Sequence, residues 1–250
     1  MKATDQYFDG IAEKFARNIY GTTKGRLRHL LLLEVLTPYL DNRTPMKVAD
    51  IGGGTGIMSK AIADFGHCVH LFDASEDILS LAQEFVSDDE NIQVFLANIQ
   101  HIENLSTYDF VVCHAVLEWL AAPLDTLAGI YHKMKPGARL SLSFFNKDAA
   151  LFGNALYGNF DYIAKGMKVK NQVRLNPNNP LSPQIVLSSA RDMGFDVERI
   201  SGIRCFHDYM KEKQLSDEQF SQLLALEKNY MEAEPYCWLG KYMHFMLKKI

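Results

Sequence analysis

The sequence predicts an α/β fold built on a doubly wound, largely parallel sheet. Three observations carry that expectation. Apolar runs of strand length alternate with segments of helical periodicity from Lys47 to Phe145, the order that builds parallel strands joined by crossover helices. The first run, Val48-Ala49-Asp50-Ile51, ends in Gly52-Gly53-Gly54-Thr55-Gly56 and passes directly into a helical pattern. The second, Cys68 to Phe72, is closed by Asp73. Glycines between a strand tip and a helix start let another molecule lie against the backbone, and the amides there suit a carboxylate or phosphate. An acid at the tip of the neighbouring strand can accept both hydroxyls of a ribose.

At 250 residues and 48% apolar, the chain can bury one large core with decorations. No apolar run reaches the ~20 residues of a membrane span. Met1-Lys2-Ala3-Thr4-Asp5 lacks the apolar centre of a signal peptide. Cys68, Cys113, Cys205 and Cys237 are far apart and form no C-x-x-C pair, as expected for reduced thiols in a cytoplasmic protein. The net charge of −4 is unevenly spread: residues 46–150 carry −8, whereas residues 1–45 and 151–250 carry +2 each. Basic flanks around an acidic core fit an anionic substrate, although the stretch Lys165, Lys168, Lys170 and Arg174 taken alone serves equally as a solvated loop.

In chain order, residues 6–20 have helical spacing with Asp5 as N-cap, and Gly21 to Gly25 breaks that helix. A second helix is expected over Arg26–Leu40. Both precede the first strand, so residues 1–45 are expected outside the sheet, as a helical lid on its carboxyl end. Arg26 and Arg28 fall where the helix dipole disfavours cations, which makes Arg28 a candidate for a ligand carboxylate; a solvated surface arginine fits the same position. The expected core is strand Lys47–Ile51, helix Met58–Phe65, strand Cys68–Phe72, helix Ser75–Val86 with Ile78, Leu79, Ala82 and Phe85 inward, and strand Ile92–Ala97. Strand Phe110–His114, a helix over Leu117–Met134 interrupted at Ala122-Pro123, and strand Arg139–Phe145 follow. Asn146 to Ser182 is too long and too aromatic for a connection, and its aromatics beside cations suit a splayed base or a cap over a small substrate. Helix Pro183–Met193, a strand from Phe195, a capped helix over Ser216–Glu232 and a closing strand over Trp238–Lys248 complete the chain.

The pattern Asp50-x-Gly52-x-Gly54-x-Gly56 resembles motif I of the seven-stranded S-adenosylmethionine (SAM) methyltransferases. Ligands of open α/β sheets sit at the carboxyl ends of the strands, here Gly52–Gly56, Asp73, Asn98–His101, His114 and Phe145-Asn146. Ile99 is placed to pack on an adenine and Gln100 to meet it through amides, while His114 suits a hydrogen-bonded spacer and a cofactor contact equally.

A closer resemblance spans nearly the whole chain. It is carried by Phe8 to Phe15, Asn18 to Gly25, His114 to Trp119, Gly158 to Tyr162, Arg204 to Tyr209, Glu234 to Tyr236 and Leu239 to His244. Together these stretches resemble the bacterial tRNA 5-carboxymethoxyuridine methyltransferases. The resemblance implies a Rossmann-like seven-stranded sheet, mostly parallel with one antiparallel strand, plus N-terminal helices and an inserted cap over residues 147–182. It implies SAM as cofactor, held by Arg28, Gly52, Gly53, Gly54, Gly56, Asp73, Ile99, Gln100 and His114, and the anticodon stem-loop of tRNA as partner, with no membrane or DNA. The acceptor would be the carboxylate of 5-carboxymethoxyuridine at the wobble position. Such an acceptor is ionised at neutral pH and is itself the nucleophile, so neither a general base nor a metal is expected. Lys24, Arg26, Arg174, Arg204 and Lys241 are candidates to orient it, with Tyr20 and Tyr209 as hydrogen-bond donors. Thr55 and His101 depart from the family pattern, where an acid is common at each. A methyltransferase of a small carboxylate or other metabolite, and a non-catalytic SAM-binding protein, are the rival functions.

Overall fold

The computed structural model describes residues 5, 10, 22–40, 44–167 and 179–250. The helix expected over residues 6–20, with Tyr20, lies outside them apart from Gly10, as does the basic stretch from Lys168 to Arg174. Among the described residues, one sheet contains β1 (Lys47–Ile51), β2 (Cys68–Asp73), β3 (Ile92–Leu96), β4 (Phe110–His114), β5 (Arg139–Phe145), β6 (Phe195–Ile203) and β7 (Tyr242–Lys249). Their spatial order is β3-β2-β1-β4-β5-β7-β6. The first five run parallel, and β7 runs antiparallel to both β5 and β6. The strand order reverses between β1 and β4, so the carboxyl end of β1 opens the crevice at which such sheets bind ligands.

Central parallel strands are covered on both faces, which is why they read as continuous apolar runs. Ala49, Ile51, Val111, Cys113, Leu140, Leu142 and Phe144 face one layer of the core, with helices α4 (Pro123–Lys133) and α7 (Pro183–Met193) over them. Val48, Val69, Phe110, Val112 and Met246 face the other layer. That face is covered by α1 (Thr23–Leu40), α2 (Ile57–Ala63) and α8 (Asp217–Tyr230).

Helix α1 begins earlier than expected, at Thr23 and not Arg26, because the Thr22 hydroxyl accepts a hydrogen bond from Gly25 N at 3.2 Å and caps it. It packs on one face of the sheet. Leu27, Leu31, Leu36 and Leu40 are fully buried, each contributing roughly 1.5–3 kcal/mol of transfer free energy. Arg26 consequently lies at the end of the first turn of α1 and Arg28 in the second.

Helix α3 (Glu76–Phe85) is capped by Ser75, as expected, with Ser75 Oγ 3.4 Å from Ile78 N. Phe85, expected inward, is 53% exposed at the last turn. Leu117–Trp119 forms a separate 3₁₀ turn before α4, which starts with Pro123 in its first turn. The closing strand starts at Tyr242, because Tyr236–Leu239 is a 3₁₀ turn that Gly240 follows. The long connection after β5 contains α5 (Lys147–Leu156) and α6 (Phe160–Ala164), which leave Leu151, Phe152, Leu156, Tyr157 and Phe160 exposed. No helix among the described residues is long and apolar enough to cross a membrane.

Candidate active site

The glycine turn is tied to the end of β2. Gly52 N and Gly53 N both donate to the Phe72 carbonyl, at 2.7 and 3.1 Å, and Gly54 N donates to Asp73 Oδ2 at 3.0 Å. The other Asp73 oxygen accepts Ser75 N at 3.0 Å. Asp73 thus joins the glycine turn to the cap of α3. Gly52, Gly54 and Gly56 all have positive φ, at 73°, 60° and 83°. A Cβ on Gly52 would stand 2.4 Å from Val116 Cγ2, and one on Gly53 2.7 Å from Leu71 Cγ, so these two glycines permit close packing of the chain itself. A Cβ on Gly54 would meet nothing within 4 Å. This glycine therefore leaves room for a ligand, not for the protein.

Asp50, under the turn, is almost fully buried. Burial pushes its carboxyl up to about 6, aided by the charge of Asp73, although Ser59 Oγ donates to Asp50 Oδ2 at 2.7 Å. A cleft of about 50 Å³ opens beside it, lined by Arg28, His29, Leu32, Gly52, Gly53, Met58, His114, Ala115 and Ser143. Ala115 holds φ +56°, a conformation costly for a residue with a Cβ, at the tip of β4. A wider cavity of about 720 Å³ is lined by Ala74, Glu76, Asp77, Leu96, Ala97, Asn98 and His101. Gly53 in the lining of the first hollow and Ala74 in that of the second are the chain neighbours of Gly54 and Asp73, which are hydrogen-bonded to each other.

His114 acts both as a spacer and as a wall of the cleft. Its Nε2 lies 2.7 Å from Ser141 Oγ, which lies 2.7 Å from His244 Nε2. A hydroxyl carries one hydrogen, so one imidazole donates to Ser141 and the other accepts from it. Burial keeps both rings neutral, lowering His114 well below its ordinary value and His244 to about 3. His114 Nδ1 is buried with no hydrogen-bond partner among the described residues.

Ile99 packs against the core beside the wide cavity. The Gln100 backbone amide donates to Asn98 Oδ1 at 3.1 Å and its side-chain amide to Asp5 Oδ2 at 3.1 Å. Asp5 Oδ1 also accepts Ala121 N at 2.8 Å, and Gly10 N donates to Asp77 Oδ2 at 2.6 Å. Through these bonds the start of the chain reaches the rim of the wide cavity.

The acceptor-side candidates divide. Arg26 is stacked over Phe220 of α8, 4.4 Å from the ring centroid, and so faces another helix. Arg204, at φ +64° and nearly buried, donates to both oxygens of Asp208 at 2.7 and 2.9 Å and to the Lys24 carbonyl at 3.2 Å. Burial alone would raise Asp208, but the His207 ring and the Arg204 guanidinium hold it well below the usual carboxylate range. The Tyr209 hydroxyl donates to the Leu239 carbonyl at 2.7 Å, so that hydrogen is already spent inside the protein. Lys24 is exposed, and Lys241 rests on the Phe145 ring at 4.9 Å. The Tyr242 ring connects the two sides, lying 5.3 Å from the Arg28 guanidinium and 5.6 Å from that of Arg204. Tyr20 and Arg174 lie outside the described residues. Sequence reasoning missed His29, Ser143 and the Ser141–His244 pair, which carry no motif and reach the crevice only through the packing of α1 and the pairing of β4, β5 and β7.

Residues 22–197 match the family described as methyltransferase domain. The tRNA 5-carboxymethoxyuridine methyltransferase of Escherichia coli (strain K12) is 39% identical over 98% of this chain and 97% of its own. The ubiquinone biosynthesis O-methyltransferase of Xylella fastidiosa (strain 9a5c) is 28% identical over 75% of this chain and 76% of its own. Among solved structures, magnesium protoporphyrin IX methyltransferase from Synechocystis PCC 6803 with bound SAH superposes with a TM-score of 0.65 at 16% identity, covering 98% of this chain and 96% of that one. That likeness establishes the seven-stranded methyltransferase fold.

Proposed function

The chain belongs to the SAM-dependent methyltransferase domain family, and from that premise we propose that it methylates the carboxylate of 5-carboxymethoxyuridine at the wobble position of tRNA, giving the methyl ester. The end-to-end similarity to the tRNA-modifying relative carries this choice, since it extends through α5, α6 and the Arg204–Tyr209 turn, beyond the segment that binds the cofactor.

Arg28 and the Gly52–Gly53 turn would hold the amino-acid end of SAM, Asp73 its ribose, and Ile99 and the Leu96–His101 wall its adenine. The open space at Gly54 and the two hollows lined by Arg28, Gly52 and Gly53 and by Ala74 and Leu96 to His101 support this reading. SAM when bound supplies an electrophilic sulfonium methyl that a carboxylate oxygen can take up directly, the C–S bonding pair leaving with sulfur. No proton has to move, so the protein's contribution is to place the acceptor in line, exclude water and prevent rotation. Well-oriented intramolecular reactions gain up to ~7–11 kcal/mol from such placement. Residues 147–182 would form the acceptor wall, residues 1–45 the lid, and the anticodon stem-loop would be bound in the cytoplasm.

The test is transfer from labelled SAM to tRNA purified from cells lacking this protein, followed by digestion and identification of the labelled nucleoside. A labelled, alkali-labile ester of 5-carboxymethoxyuridine is expected. Label confined to another nucleoside, or to a small-molecule fraction in the absence of RNA, refutes the assignment.

A further inference from the structure

We propose, on the basis of the carboxylate-methylation function above, that Lys241 is the positioning residue that receives the acceptor carboxylate. Lys241 directly precedes Tyr242, the β7 residue paired with Phe145 at the carboxyl end of β5. Its backbone therefore lies at the same end of the sheet as the glycine turn.

Of the neighbouring cations, Arg204 is held by Asp208 and the Lys24 carbonyl, Arg26 is stacked on Phe220 of α8, and Lys24 is exposed to solvent. Lys213 donates to the Tyr157 hydroxyl at 3.1 Å and to the Asp208 carbonyl at 3.3 Å. Lys241 differs. Its Nζ touches the face of the Phe145 ring and meets no hydrogen-bond acceptor among the described residues. An ammonium has three donors, and this half-buried one, with none of them used by the described residues, is available to an anion.

The charged groups facing it are Asp208, Arg204, Lys213 and Lys24, of which the one acid is already engaged twice by Arg204. Burial lowers the Lys241 ammonium below the ordinary lysine value, with Arg204, Lys213 and Lys24 adding to the effect and Asp208 opposing it. Lysine also suits the chemistry. It is a point charge that grips one carboxylate oxygen, whereas an arginine fork occupies both. The second oxygen is then left to attack the methyl carbon.

The test compares binding of the same tRNA carrying the acid with tRNA carrying the corresponding neutral amide, in wild type, Lys241→Gln and Lys241→Arg. The wild type should prefer the acid by about 10- to 100-fold, the range of a hydrogen-bonded charge pair. Lys241→Gln should bind both forms equally with unchanged SAM affinity, and Lys241→Arg should keep the preference. In the wild type the preference should be full below the Lys241 pKa and vanish as pH rises through it; in Lys241→Arg that loss should move to higher pH. This pH readout decides the matter if Lys241→Gln fails to fold. A preference retained by Lys241→Gln, or one in the wild type indifferent to alkaline pH, overturns the role of Lys241 while leaving the proposed reaction intact. A wild type that transfers no methyl to the acid form overturns both.

Discussion

Glu118 offers a quantitative test of the electrostatics behind the crevice. It lies in the 3₁₀ turn after β4, it is fully buried, and neither carboxyl oxygen has a hydrogen-bond partner among the described residues. Burial raises its pKa from 4.5 to about 7; the backbone amides of Glu118 and Phe145 and the Arg28 charge moderate that rise without reaching good bonding geometry. The folded protein therefore binds this proton more tightly than the unfolded chain does. The linkage follows: Glu118 costs no stability below pH ~4.5, costs progressively more as pH rises towards 7, and carries its full cost above that. Two and a half pH units at 1.36 kcal/mol each give a cost of about 3 kcal/mol.

Glu118→Gln abolishes the titration while preserving shape. Unfolding free energies from urea titrations at intervals between pH 4.5 and 8 should show the variant gaining about 3 kcal/mol relative to wild type across that range. Asp50, raised to about 6, and the lowered histidines His114 and His244 also bend the wild-type curve. They are present in both proteins, so the difference isolates Glu118. Whatever the buried carboxamide costs is a constant offset, independent of pH. Two parallel curves would refute the assignment of a burial-shifted carboxyl at this position.

The glycine turn predicts a separation of folding from binding. Gly54→Ala should cost about 1 kcal/mol for its φ of +60°, leave the fold intact, and weaken SAM binding measured by calorimetry, because its Cβ enters open space and not the protein. Gly53→Ala places a Cβ 2.7 Å from Leu71 Cγ and 3.0 Å from the Asp50 carboxyl, so it should cost about 1–3 kcal/mol in stability; Gly54→Ala proving the more destabilising of the two would contradict this. Glu227 accepts the amides of Cys205, Phe206 and His207 at 2.5, 3.0 and 2.9 Å (Oε2 for the first, Oε1 for the other two), fixing the turn that carries Arg204 and Asp208. In Glu227→Gln a side-chain NH₂ must face at least one of those amides, so urea unfolding should report a loss of about 1–3 kcal/mol, and an unchanged midpoint would rule out the anchoring role.

Much of the cofactor crevice was legible because its parts are local in sequence. The Gly52–Gly56 turn and the acid at the tip of the next strand need only β1, a helix and β2 in succession. Strands β1, β4 and β5 and helix α7 have the expected bounds, since buried parallel strands are continuous apolar runs and Gly194 takes the left-handed cap of α7 at φ 102°. The errors have local causes too. Trp238 and Leu239 extend the apolar run of β7, and composition does not separate a 3₁₀ turn from a strand. Thr22 caps a helix start inside a stretch whose glycines read as a break. The acceptor side was less readable for a different reason. Its candidates were cations of one chemical type, and what distinguishes them is which acid or ring each already meets. The Arg204–Asp208 pair, four residues apart, was open to sequence reasoning; the stacking of Arg26 on Phe220 and the contact of Lys241 with Phe145 depend on the packing of α8 and the pairing of β5 with β7.

That pattern of internally satisfied cations has a chemical logic. Methylating a carboxylate with a sulfonium destroys two opposite charges, so the transition state is less polar than the reactants. A pocket crowded with free cations would bind the carboxylate strongly but would stabilise it most before reaction, which lowers the reactant level and raises the barrier. The structure keeps the positive groups needed to attract an anion while cancelling part of their local field: Asp208 neutralises Arg204, Phe220 takes Arg26, and the rings of Phe145 and Tyr242 lie against Lys241 and Arg28. One ammonium is enough to fix the acceptor's direction, and more would cost rate. Placing a second unpaired cation there, for example by Asp208→Asn, which frees Arg204, should therefore tighten tRNA binding while slowing turnover.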